Sequence, residues 1–324
     1  MSKKGLVSII IPCYNHENFL DDCIKGILEQ SYKNIEFLIC DDCSPDGSYQ
    51  KIKSYEKELR ERFSRVEIFH NEVNQGVTKN INRMLSIAEG EYIKIIASDD
   101  ALLSNGIEQA VTYLNSNQDV DILICNGAKI AEDQHHGAYQ LGERIYEEPL
   151  KLDSEKLIEE IFILNTISAP SAILKKSVFD ELGYYDENIA IEDLEYWLRA
   201  LSKKTIKFDY LDIPLVLYRV NENSMSSMSN NPRLEERRIR FHNAEMEILN
   251  KYREFVPESI YAEAILNRIL AEKGLAVTYK LSKLEQIADD ELHEFKGWRH
   301  VTFGKKVVYI LRILYANMRK LIRK

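Results

Sequence analysis

The sequence predicts an α/β fold built on a mostly parallel, doubly wound sheet, and three observations carry that prediction. Short β-branched apolar runs alternate with helical segments from Leu6 to Cys125. No two-residue hairpin turn separates them, so successive strands are joined by helical crossovers. Each of the first four strands ends in polar residues: Tyr14-Asn15, Asp41-Asp42, Asn71 onward and Asp99-Asp100. A ligand crevice along the carboxyl edge of an open sheet has that signature.

The elements follow in order. Leu6 to Ile11 is a continuous apolar run stopped by Pro12, and residues 17–30 carry Phe19, Leu20, Cys23, Ile27 and Leu28 as one helical stripe. Ile35 to Cys40 is the next buried strand. A polar turn through Asp46-Gly47 leads into a helix over 48–62, and Val66 to Phe69 is the third strand. A helix over 77–88, a strand over 91–96, a helix near 104–117 and a strand from Asp121 to Cys125 complete the alternation. Beyond it the pattern loosens from 127 to 168. Ser171 to Leu174 reads as a strand. A helix then starts near Glu192-Asp193, with Leu194, Trp197, Leu198 and Leu201 inward. Residues 221–231 have no periodicity and read as a loop, and Pro232 suits the first turn of a following helix. From there the chain reads as all-helical. Two regions are therefore expected: 1–220, α/β, and 221–324, helical.

Bulk properties narrow the function. The 324 residues are 45% hydrophobic, enough for a sizeable core, and the formal charge of −9 argues against a general nucleic-acid binder. That average hides a basic end: from Lys296 onward there are nine Lys and Arg and no acid. Phe303, Val307, Ile310, Leu314, Met318 and Leu321 recur there at steps of three and four. Lys305, Arg312, Arg319 and Arg323 fall on the other side. Trp298 and Tyr309 flank this amphipathic segment, which suits an anionic leaflet; packing on the protein's own core is the other reading. Five cysteines do not suggest a disulfide framework, and Cys40-x-x-Cys43 without a second pair reads as buried reduced thiols. No signal peptide is expected, and no run of 18 uncharged apolar residues suggests a membrane span. The expected location is cytoplasmic, at the inner face of the plasma membrane if the basic segment binds it.

Ser98-Asp99-Asp100 follows a buried strand, and hard cations take oxygen ligands from one or two carboxylates plus substrate phosphates. Mg²⁺ or Mn²⁺ held there against a nucleotide diphosphate is one reading; a solvated Asp-Asp turn capping a helix is the other. No glycine fingerprint follows the first strand, and GxxxxGK[ST] is absent, which disfavours hydride transfer and P-loop chemistry. His135-His136 would lie on opposite faces of a strand and is expected to be a solvated loop.

Several motifs in order then resemble the inverting family-2 glycosyltransferases of the GT-A fold. They are Val7 to Asn15, Asp41 to Gly47, Asn74-Gln-Gly-Val-Thr78 with Asn82, Glu89 to Ile93, Ser98-Asp-Asp100, Glu192-Asp-Leu-Glu195 and Tyr218-Arg219. The resemblance covers about the first 220 residues. It implies a Rossmann-like, mostly parallel sheet flanked by helices, with the helical C-terminal extension beyond it. Pro12 and Tyr14 would line the nucleobase pocket, Asp42 would accept from the uracil N3–H, and Lys79 would reach the nucleotide or its diphosphate. Asp99 would contact the ribose and the metal, Asp100 would hold Mn²⁺ or Mg²⁺, and Asp193 would be the general base with Glu192 beside it. The helix start is expected to keep Asp193 ionised. Ala97 stands where many relatives have a further Asp, and Val220-Asn221 where many have a His. The activity implied is metal-dependent transfer of a hexosyl or N-acetylhexosaminyl group from a UDP-sugar to a glycan hydroxyl. The acceptor would be lipid-linked and the process surface-polysaccharide assembly. A polyprenyl-phosphate glycosyl synthase and a catalytically inactive nucleotide-sugar-binding relative are the alternatives, and an oligomer is compatible with any of the three.

Overall fold

A computed structural model describes residues 2–131, 143–148, 150, 154–220, 233–301, 305, 306 and 309. His135-His136, the 221–231 loop, Pro232 and most of the basic C-terminal segment lie outside the described residues. The rest divides into two compact units that interleave along the chain.

The first unit comprises 1–154, 167–187 and 203–227. Its strands are β1 (Lys3–Cys13), β2 (Ile35–Asp41), β3 (Arg65–His70), β4 (Gly90–Ile95), β5 (Ala101–Leu102), β6 (Ile122–Ala131), β7 (Glu143–Arg144), β8 (Ala172–Lys175) and β9 (Phe208–Val220). They form one sheet in the order β3-β2-β1-β4-β8-β6-β9-β5, with β7 beside β6. The first four strands pair parallel, through Ile9 opposite both Phe37 and Lys94 and through Cys40 opposite Phe69. Every residue of β2 is buried, as expected of a strand covered on both faces. The helices of this unit are α1 (Leu20–Leu28), α2 (Ser48–Ser54), α3 (Glu56–Arg62), α4 (Val77–Ile87), α5 (Gly106–Ser116) and α7 (Lys176–Leu182). The core gathers Val7, Ile9 and Ile11 with Phe37, Ile39 and the inner face of α1, Leu20, Cys23, Ile24 and Ile27.

Four local features differ from the sequence reading. β1 runs through Pro12, which lies one residue from the strand end where a missing N–H costs little. The helix expected over 48–62 breaks at Tyr55, whose hydroxyl donates to Asp21 Oδ1 at 2.7 Å. The sheet is mixed, because β8 runs antiparallel to both β4 and β6. β9 has no clean sequence signature, since Asp209, Asp212 and Pro214 interrupt its apolar pattern. Its register against β6 shifts around Asn126, where a Cβ on Gly127 would come within 2.2 Å of Val216 O. Only glycine permits that approach.

The second unit comprises 155–166, 188–202 and 228–324. It contains most of α6 (Ser154–Ile163), then α8 (Glu192–Ser202), α9 (Leu234–Lys251), α10 (Glu258–Tyr279) and α11 (Ser282–Glu294). Its interior is polar as well as apolar: His242 pairs with Glu291 at 2.7 Å, Arg268 with Glu245 at 3.3 Å, and Arg238 with Glu272. Tyr309 is buried against Ala262, Leu266 and Leu270 of α10, and Trp298 packs on the same cluster. Both aromatic flanks of the basic segment therefore rest on protein. Among the described residues no helix is long and apolar enough to cross a membrane.

At the amino end of the parallel strands, buried Glu36 on β2 ties four elements together. Its Oε1 accepts from Ser8 Oγ on β1 and from the Glu89 and Gly90 N–H groups at 2.6 and 3.0 Å, and its Oε2 accepts from Arg65 on β3 at 2.6 Å. Removing one member of such a buried set strands the others. Glu36→Ala is expected to lower unfolding free energy by about 3–5 kcal/mol, read by urea denaturation.

Candidate active site

The carboxyl edge of β2-β1-β4 is where the first unit concentrates its polar side chains. Adjacent parallel strands there deliver Asp41 and Asp42, then Cys13 and Tyr14, then Ser98, Asp99 and Asp100. The ladder continues past the strand ends through Asp42 N–H to Cys13 O (2.8 Å) and Asn71 N–H to Asp41 O (2.9 Å). Tyr14 is 47% exposed, so its ring is surface and not core. Pro12 is half-buried beside it. Asn15 and Cys43 both adopt left-handed backbone, at φ 58° and 59°. Such non-glycine residues cost energy and cluster at binding edges. Cys43 is half-exposed, which corrects the expectation that both cysteines of the Cys40-x-x-Cys43 pair are buried.

Arg219, at the end of β9, organises the acidic turn. Its backbone N–H donates to Asp100 Oδ1 (2.8 Å) and its Nε to Asp99 O (2.9 Å). Nη1 donates to Ala131 O on β6 (3.2 Å) and Nη2 to Asp22 Oδ2 on α1 (2.8 Å). The guanidinium is buried and lies 5.1 Å from the centre of the Phe19 ring. The second Asp100 oxygen, Oδ2, is buried with no hydrogen-bond partner among the described residues. Burial and the adjacent Asp99 charge push the Asp100 carboxyl up. An orphaned, buried carboxylate oxygen beside a second carboxylate fits a divalent cation whose remaining ligands come from phosphate. Among the described residues no group of three or more His, Cys, Asp and Glu side chains forms a complete metal site by itself.

Asp42 is largely committed to the protein. Oδ1 accepts from Asn71 Nδ2 and the Gln75 N–H, and Oδ2 from the Gly76 N–H, each at 2.8 Å. Burial opposes its charge, but these N–H donors outweigh it and hold the carboxyl below its usual range. A carboxylate offers about four lone-pair sites, so one on Oδ2 stays available. Lys79 is exposed on α4 and makes no hydrogen bond or ion pair with the described residues. Asn71, Asp22 and Arg219 were given no role by the sequence reading. Asn71 had a signal as a polar strand end and Arg219 as half of the Tyr218-Arg219 pair; Asp22 had none.

Glu192 and Asp193 open α8, in the second unit. Asp193 Oδ2 accepts from Asn165 Nδ2 at 3.2 Å, and Oδ1 from the Leu194 N–H at 2.7 Å. Burial raises the Asp193 carboxyl above its usual range, against the Leu194 N–H and Asn165 donors that favour its charge. Glu192, half-buried beside it, is pushed up to about 7 by burial and by the Asp193 charge. Glu195, the last acid of that motif, has a different task. It is wholly buried and accepts from Tyr252 OH (2.6 Å), Lys251 (2.8 Å) and Arg199 (2.6 Å), anchoring α8 to α9.

Two outcomes are expected. Arg219→Ala removes this donor from both Asp22 and the Asp99 carbonyl, and should cost about 3–5 kcal/mol in urea unfolding. Glu192 binds its proton more tightly folded than unfolded, so folding weakens as pH rises from the usual glutamate range to about 7, above which both states are ionised and the loss is complete. Glu192→Gln should therefore raise the melting temperature at pH 8 and leave it unchanged near pH 4, where both states are protonated.

Comparison with known proteins agrees with this geometry. Residues 8–183 match the family model described as Glycosyl transferase family 2. An uncharacterized glycosyltransferase of Methanocaldococcus jannaschii is 28% identical over 219 residues, 67% of this chain and 71% of that protein. Glycosyltransferase GlyG of Streptococcus pneumoniae is 29% identical over 229 residues, 68% of this chain and 72% of GlyG. Among solved structures, S. aureus TarS superposes with a TM-score of 0.57 at 19% identity, over 98% of this chain but only 53% of TarS. The mannosyltransferase PcManGT of Pyrobaculum calidifontis, in complex with GDP-Man and Mn²⁺, gives 0.56 at 15% identity, over 98% of this chain and 87% of PcManGT. Its fold is the GT-A fold, and the chain belongs to glycosyltransferase family 2.

Proposed function

We propose that this glycosyltransferase moves a hexosyl or N-acetylhexosaminyl group from a UDP-sugar to a hydroxyl of a lipid-linked glycan acceptor in polysaccharide assembly, inverting the anomeric centre. The observation that carries this reading is the carboxyl edge itself: an ionised Asp42 with one spare lone pair, and an orphaned Asp100 oxygen two strands away. TarS has been solved in complex with UDP-GlcNAc, at a TM-score of 0.55 and 16% identity, which supports a nucleotide sugar as the ligand class.

In this reading Tyr14 and Pro12 receive the base, and Asp42 Oδ2 accepts the uracil N3–H, a bond that favours uridine. Asp99 holds the ribose, Lys79 reaches the diphosphate, and Asp100 with Asp99 holds Mn²⁺ or Mg²⁺. A cation held there would supply positive charge to offset that of the departing diphosphate. Asp193 takes the proton from the acceptor hydroxyl, with Glu192 beside it. One base with in-line attack inverts the centre without a covalent enzyme intermediate. The basic segment from Lys296 onward would bring the enzyme to an anionic leaflet where a lipid-linked acceptor lies.

A donor panel of UDP-Glc, UDP-Gal, UDP-GlcNAc, UDP-GalNAc and GDP-Man, with Mn²⁺ or with EDTA, tests the reading through nucleotide release. Release from one UDP-sugar, abolished by EDTA, is the expected result. Asp193→Asn should lower kcat by roughly 10²–10⁴-fold and leave UDP affinity unchanged. Turnover of GDP-Man alone would reassign the base. Metal-dependent UDP binding with no turnover of any donor would point to a binding module.

A further inference from the structure

His16 stands in the loop after β1, where nothing in the sequence marks it for a role. Its backbone is held on both sides. The His16 N–H donates to Ser48 Oγ at 3.0 Å, and its carbonyl accepts from the Phe19 and Leu20 N–H groups at 2.9 and 3.2 Å. The flanking residues latch onto the loop after β2: Asn15 N–H to Ser44 Oγ (2.9 Å), Glu17 N–H to Asp46 Oδ2 (3.0 Å) and Gly47 N–H to Glu17 Oε2 (2.9 Å). The imidazole meets Phe19 edge to face, with centroids 5.8 Å apart at 74°. Phe19 in turn carries the Arg219 guanidinium. The ring is thus a fixed part of the wall of the acidic turn.

Its two nitrogens differ. Nδ1 lies 2.8 Å from Ser98 Oγ and 3.9 Å from Asp99 Oδ1. Nε2 has no hydrogen-bond partner among the described residues, and the side chain is 26% exposed. Ser98 is wholly buried, so its hydroxyl hydrogen needs an acceptor. Among the described residues its recorded contacts are His16 Nδ1 and the Cys13 sulfur, whose thiol burial pushes up to about 12 and so keeps protonated. Sulfur accepts weakly and nitrogen well. Ser98 Oγ–H therefore donates to Nδ1, which places the imidazole hydrogen on Nε2. The group left facing outward, on the rim beside Asp99, is a rigid N–H donor. A donor there suits an anionic oxygen and repels a cation.

We propose that His16 Nε2–H donates a hydrogen bond to a diphosphate oxygen of the nucleotide-sugar donor, beside the carboxylates that hold its ribose and metal. This rests on the nucleotide-sugar reading above. It adds a fixed protein donor on the rim beside Asp99, whose own carboxylate would repel phosphate.

The test measures UDP and uridine affinity of the full chain, by calorimetry and ligand-observed NMR, with Mn²⁺ and with EDTA. Asn can keep the bond to Ser98 but lacks an outward donor, whereas Gln places a donor near the Nε2 position. A hydrogen bond to a charged oxygen predicts that His16→Asn weakens UDP about tenfold, with and without Mn²⁺, and leaves uridine unchanged, while His16→Gln stays within about threefold of wild type. Equal weakening of UDP and uridine would reduce His16 to a positioning residue for Ser98 and overturn the proposal. So would UDP affinity unchanged in His16→Asn, or an effect that vanishes in EDTA, which would make the imidazole a metal ligand. Should His16→Asn melt early, His16→Gln decides, since loss of UDP over uridine preference there also overturns it. A wild-type protein that binds neither UDP nor GDP would refute the nucleotide-sugar reading itself, which a His16 variant cannot do.

Discussion

One buried guanidinium joins four parts of the first unit. Arg219 reaches from the end of β9 to α1 through Asp22, to β6 through the Ala131 carbonyl, and to the acidic turn through Asp99 and Asp100. Two adjacent carboxylates on a tight turn repel each other, and a turn is a weak scaffold by itself. A planar fork with several fixed donors gives that turn one geometry, which a lysine ammonium could not do. The same contacts leave one Asp100 oxygen without a hydrogen-bond partner among the described residues, so the clamp that makes the turn rigid also sets where that oxygen stands.

The acids of this protein show how environment divides one functional group among different tasks. Asp42 receives three N–H donors and stays ionised despite burial. Asp100 receives one donor, loses its water and is pushed toward protonation until a positive charge arrives. Glu192 and Asp193 share a poorly hydrated helix start and titrate as a pair. Glu195, two residues on, is surrounded by cationic and hydroxyl donors and is a structural anion. Among these four environments the donors within reach decide the direction, as burial raises all of them.

Buried polar groups also set the scaffold. Glu36 links the amino ends of β1, β2 and β3 to the turn before β4, opposite the functional edge. Lys94, wholly buried in β4 and pushed down to about 8 by burial, donates to the Pro170 and Ala172 carbonyls and fixes the turn before β8. Breaking such contacts costs more than forming them gains, so they favour one arrangement of strands over its alternatives.

Much of this was legible in the chain. Runs such as Ser8 to Ile11 and Ile35 to Cys40 can only be strands buried on both faces, and strand-helix alternation forces parallel pairing. The polar residues after each strand then fall on one edge, which brings Asp42, Asp99 and Asp100 to the same side of the sheet. Other features depended on neighbours far away in sequence. β9 hides behind Asp209, Asp212 and Pro214, and its place in the sheet comes from a bulge at Gly127 that only pairing reveals. Segments 155–166 and 188–202 pack with the C-terminal helices although they precede residue 220, because contact, not chain order, assembles a core. The outward donor on His16 and the spare oxygen on Asp100 exist only through contacts with Ser98 and Arg219. Local periodicity therefore determined which residues form strands and which acids line their ends. Protonation, orientation and open valences were decided by the folded surroundings, since desolvation and hydrogen-bond partners are properties of space and not of sequence.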